Sequence, residues 1–203
     1  MNAINPQAMV IGLVLVVAVA VAVFLILRER RKAQSRHLQE RFGPEYGRVV
    51  STVGDREKAE AELQAREKRV ERLRLVALPA AEASRFAQAW ETLQTRFVDN
   101  PSGVVGEADR LVRELMLKRG YPMADFERRA ADISVHHPLV VDNYRAAQAI
   151  ASRNVRGQAS TEDLRKAVVH YRALFEDLLE VGGARKAEVL AATEREKEAV
   201  HHE

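Results

Sequence analysis

Hydrophobic side chains fall along this chain in two regimes. From Ala8 to Leu27, "AMVIGLVLVVAVAVAVFLIL", no charged residue interrupts them, whereas from Asp55 onward they recur every three or four positions among charged ones. At about 1.5 Å per helical residue the first stretch covers roughly 30 Å, the thickness of a bilayer hydrocarbon core. The period of the remainder predicts amphipathic helices, each turning one face to a shared core. No segment alternates apolar and polar residues for long enough to suggest a sheet. The expected fold is therefore all-α, an N-terminal transmembrane helix followed by a cytoplasmic multi-helix bundle.

Proline and glycine punctuate the bundle. Pro44, Pro79, Pro101, Pro122 and Pro138 fall between periodic segments, where a missing N–H and a fixed φ end or begin a helix. A first helix is predicted over about Asp55–Val76, with Ala59, Leu63, Val70 and Leu73 as a narrow stripe and Arg66 within it. A short coiled coil and a helix docked by one face both fit that stripe; Arg66 on the seam favours the docked helix. A second helix, about Ala81–Val98, carries Phe86, Trp90, Leu93 and Phe97 at core spacing. A third runs from Pro101 or Ser102 to Arg119, with Gly120 as its C′ residue. A short helix through Phe126, Ala130 and Ile133 follows, then one opened by Pro138, a polar loop "SRNVRGQAS", and a last helix "TEDLRKAVVHYRALFEDLLEV". Ser160 with Asp163 has the pattern of a capping box.

These readings divide the chain into a short outward-facing N-terminus (1–7), a transmembrane helix (8–27), and a basic juxtamembrane segment ending in a Gly-Pro joint (28–54). A helical domain (55–183) and a charged tail (184–203), frayed or disordered, complete it. "MNAINPQ" holds no charge and "RERRKAQSRH" follows the apolar run directly, so a cleaved signal peptide is not expected. Arg28, Arg30, Arg31, Lys32 and Arg36 lie just after the span, and no Lys or Arg precedes it. The positive-inside rule then predicts a single-pass protein of the bacterial inner membrane, N-terminus out and C-terminal domain in the cytoplasm. The same five bases are either topology signals only or also a membrane-surface contact, in which each base near an anionic leaflet contributes about 1 kcal/mol.

At "ERFGPEYGRVV", Gly43-Pro44 must stop any helix that continues from the span, whether that helix stands off the membrane or lies along it. Phe42 and Tyr46 are apolar enough to dock onto the bundle. Phe42, Gly43, Pro44 and Tyr46 are thus expected to form a joint that sets how the domain hangs from its anchor.

Charge and candidate chemistry change this picture little. The net charge is +3, with acids and bases nearly balanced, which argues against a nucleic-acid partner. There is no cysteine, so disulfides, thiolate catalysis and Cys-ligated metals are excluded. No P-loop, G-x-G-x-x-G, G-x-S-x-G or H-E-x-x-H motif is present. Asp132, His136, His137 and His170 have the donor chemistry for zinc or iron. Their spacing matches no ligand motif, and His136-His137 precede Pro138, a context that favours a turn. No catalytic, cofactor or metal site is expected, and no enzymatic activity.

"RFGPEYGRVV", "RFVDNPSGVV", "KRGYP", "FERRAADISVHHP" and "LRKAVVHYRALFEDLL" together resemble an uncharacterised family of bacterial single-span membrane proteins, associated with high-GC bacteria. The resemblance covers Arg41 to Leu179 and implies one module behind an anchor; no activity or functional residue comes with it. The expected function is a membrane-anchored, non-enzymatic adaptor or scaffold. Its partners would be the lipid bilayer through residues 8–27 and another protein, with a homo-oligomer compatible. The alternative is a membrane-tethered metal- or ligand-binding regulator using the His136/His137/His170 region.

Overall fold

A computed structural model describes the backbone of residues 6–179 and the side chains of Leu15 and of residues 19–179. Every regular element in it is helical: α1 (Pro6–Phe42), α2 (Pro44–Val53), α3 (Arg56–Glu71), α4 (Ala80–Thr95), α5 (Pro101–Lys118), α6 (Phe126–Ile133), α7 (Val141–Val155) and α8 (161–179). The chain divides into two compact units, Met1–Arg41 and Phe42–Glu203.

The first unit is α1 as far as Arg41. Residues 19–27 are exposed around the helix, Phe24 at 63% and Ile26 at 54% among them. Among the described residues, no helix is long and apolar enough to cross a membrane. Half the side chains of the expected span, those of 8–14 and 16–18, lie outside them, as does the expected tail 184–203.

The second unit begins at Phe42, earlier than the Asp55 start expected from the charge pattern, and takes in α2. Gly43 adopts φ +47°, which a Cβ disfavours, and Pro44 fills the first turn of α2, where no N–H is needed. Gly54 ends α2 in the left-handed conformation. Asp55 then caps α3 by accepting the Lys58 N–H at 2.9 Å. The buried face of α3 is Ala59, Leu63, Arg66 and Val70, the expected stripe with its arginine.

α3 ends at Glu71, short of Val76. Leu73, Leu75 and Leu78 pack on the core from a non-helical segment, and the Val76 N–H donates to the Arg119 carbonyl at 3.0 Å. Gly120, at φ +92°, lies so close to this segment that a Cβ would sit 2.5 Å from the Arg74 carbonyl oxygen. α4 ends at Thr95, so Phe97 meets the core from a turn. α7 starts at Val141 rather than Pro138, because Pro138 to Val140 form a turn in which the His137 carbonyl accepts the N–H groups of Val140 and Val141. α7 also takes in Ser152–Val155, leaving a shorter loop than expected. Ser160 and Asp163 make the reciprocal pair of a capping box: the Asp163 N–H donates to the Ser160 Oγ and the Ser160 N–H to the Asp163 carboxylate, both at 3.1 Å.

The core lies among α4, α5, α7 and α8. Val105, Ala108, Val112 and Leu115 of α5 meet Tyr144 and Ala147 of α7 and Tyr171, Leu174 and Leu178 of α8, all buried. Trp90 stacks on Phe175 with ring centroids 4.6 Å apart, and Phe86 meets the same ring edge-on at 6.5 Å. Such offset and edge contacts suit the aromatic quadrupole and add specificity to the area buried.

Candidate functional site

Of the four expected joint residues, only Phe42 lies in the interior of the second unit; Gly43 and Pro44 are exposed and Tyr46 is half-buried. Phe42 is fully buried, and the Tyr46 hydroxyl donates to Glu60 Oε1 of α3 at 2.6 Å. Between them sits Glu45, whose side chain is wholly buried. Its Oε1 accepts from Arg48 Nη2 at 2.8 Å, Arg66 Nη1 at 2.9 Å and Arg145 Nη2 at 2.9 Å. Its Oε2 accepts from Arg48 Nε at 2.7 Å and Arg145 Nη1 at 2.8 Å. Two guanidinium groups grip the carboxylate bidentately, one from α2 and one from α7, while α3 supplies the third. Arg66 also pairs with Glu62, and Arg145 with Asp142 at 3.0 Å, so three arginines stand among three carboxylates.

Burial by itself would raise the Glu45 pKa. The hydrogen bonds and positive charge of Arg48 and Arg145 outweigh it and hold the carboxyl at about 2. A carboxylate this committed cannot act as a base near neutral pH; it is a clamp that fastens α2 to α3 and α7. A parallel tie joins α3 to α6, where Arg69 Nε donates to Asp132 Oδ1 at 2.7 Å.

The histidines part company. His137 has its ring buried and its Nδ1 against the Asp177 carboxylate of α8, while His136 Nδ1 lies 3.5 Å from the Tyr121 hydroxyl. His170 Nδ1 lies 2.8 Å from Asn143 Oδ1 of α7, and Asp132 is held by Arg69. Among the described residues, no group of three or more His, Asp or Glu could hold a metal ion. Arg28, Arg30, Arg31, Lys32 and Arg36 are exposed on α1, with Lys32 Nζ 3.1 Å from Glu29.

A groove of about 350 Å³ runs along the outer side of the α4–α5 pair. Its floor is apolar, from Phe86, Ala89, Leu111 and Leu117, and its rim carries Glu82, Arg85, Glu114 and Lys118. A smaller pocket of about 110 Å³ that shares Ala89, Leu111 and Glu114 with it reaches Arg96, Glu107 and Arg110.

Sequence reasoning did not foresee Glu45 or Arg145 as a pair. Arg66 on an apolar stripe was the available signal, since a buried guanidinium requires an acid, but nothing local named the acid. The groove was equally hidden, because Phe86 reads as core on its own helix. Comparison of the chain with protein-family models, with curated proteins and with solved structures found no match.

Proposed function

We propose that this chain is a membrane-anchored, non-enzymatic adaptor: a single span at residues 8–27 presents a helical bundle on the cytoplasmic face of a bacterial inner membrane to a protein partner. The observation that carries the reading is the charge-free run ending directly in Arg28, Arg30, Arg31 and Lys32. Support comes from α1, where the apolar side chains of residues 19–27 face solvent on every side, as a lipid-facing helix requires. Further support comes from the Glu45 clamp, which fixes α2 immediately after the Gly43-Pro44 break and so gives the bundle a defined first element.

In-cell crosslinking followed by mass spectrometry of the membrane fraction tests it. A reproducible partner crosslinked to residues of the second unit is expected. Recovery of the chain in the alkaline-carbonate supernatant, or of the bundle with no protein partner, would overturn the reading.

A further inference from the structure

Charges alternate along the open side of α5. Glu107, Arg110, Glu114 and Lys118 follow one another at intervals of three and four residues, which puts them in one stripe. All four line the groove or the smaller pocket beside it. A stripe that reads acid, base, acid, base is complementary to its own reverse: the first position meets the last and the second meets the third. We infer that two copies of this chain associate through this face, each α5 antiparallel to the other across a two-fold axis level with Val112.

Spacing, charge and shape carry the inference. Arg110 and Glu114 lie two residues either side of Val112, so the axis brings each Arg110 level with the Glu114 of the other copy. Glu107 and Lys118 lie five and six residues away, and they meet with an offset of one residue, about 1.5 Å. Within one chain Arg110 Nε is 3.9 Å from Glu114, a loose pair with both side chains exposed, so each has room for a second partner. The pairing is isologous, and every contact is made twice. A parallel pairing would set each charge against its like, and a uniformly acidic or basic partner would be repelled by half of the stripe. Apolar surface lies alongside: Phe86, Ala89 and Leu111 floor the groove, and Leu117 is 58% exposed. Leu117 of each copy comes level with Gly106 and Glu107 of the other. Gly106 is exposed with nothing packed over it, which leaves space for the leucine.

Charge reversal tests the pairing in the full chain in detergent micelles, with association followed by sedimentation equilibrium. The chain should be a dimer. Arg110→Glu and Glu114→Arg each set like charges together at two places and should each weaken the dimer at least tenfold. Both positions are exposed, so circular dichroism should show the fold unchanged. An equimolar mixture of the two variants should regain the parent's affinity, because they complement each other at both contacts, and R110E/E114R should regain it alone. A monomeric parent would overturn the proposal and leave the groove to a different protein. A dimer that the single variants leave intact would also overturn it, by placing the association elsewhere on the chain. So would a mixture that associates no better than its components.

Discussion

Glu45 shows how one side chain can hold three helices. Its carboxylate is buried, which alone would favour the neutral form, yet it stands at a pKa of about 2 because Arg48 and Arg145 hydrogen-bond and charge-pair with it. The folded pKa lies below the ordinary 4.5, so the stabilisation is complete above the unfolded value and is lost as pH falls from about 5 toward 2. A shift of this size is on the order of 3 kcal/mol. Glu45→Gln, which leaves the three guanidinium groups without their central charge, should cost about 3 kcal/mol at pH 7. Urea unfolding of the full chain in detergent, followed through its single tryptophan Trp90, measures it. The variant should also lose most of the stability difference between pH 5 and pH 3; an unchanged pH slope would show that other carboxylates set it. What was legible at this scale was half of the pair: Arg66 stood out on its stripe, but Glu45 lies on another helix and Arg145 on a third, at no spacing that a helix face defines.

Among elements, local capping decides where α3, α5 and α8 begin, while a tertiary contact decides where α3 ends. The caps at Asp55, Asn100 and Ser160 act within three residues, and all three are visible in the sequence as Asp, Asn or Ser ahead of a periodic run. The end of α3 was not visible, because Leu73, Leu75 and Leu78 bury equally well from a helix or an extended strip, and the Val76–Arg119 backbone bond selects the strip. Tyr46, Val49, Val50 and Val53 have the helical spacing of α2, but two glycines and a proline in the same stretch mask it as a joint. The break ahead of α2 is where the difference has consequences. Gly43 at φ +47° lets Phe42 and Glu45 both point inward from consecutive helices. Gly43-Pro44→Ala-Ala strains residue 43 and favours a continuous helix, which would turn Glu45 away from its arginines. The expected result is a loss of about 2 kcal/mol or more in the same urea assay, from left-handed backbone strain combined with a weakened clamp. A variant as stable as the parent would instead assign the break a purely positional role.

For the whole molecule, the all-helical architecture was legible because a period of three to four residues with proline stops admits little else, while the proposed orientation across a membrane rests on charge alone. The difference between the two sides of the run is stark: five bases after it, at Arg28, Arg30, Arg31, Lys32 and Arg36, and none before it. That asymmetry makes orientation separable from folding, since those bases are exposed on α1 and the bundle core uses none of them. In spheroplasts of cells expressing the chain, external protease should leave the bundle intact, and lysis should expose it. Replacing the five bases by Gln and inserting lysines ahead of Ala8 moves the positive excess to the other flank, and a substantial fraction of the bundle should then become protease-sensitive from outside. The substitutions leave the apolar run and the Glu45 clamp untouched, so the inverted fraction should unfold in urea as the parent does. Digestion of the unsubstituted bundle from outside would place it on the opposite face. An orientation indifferent to the charge swap would mean that something other than Arg28 to Arg36 determines the topology.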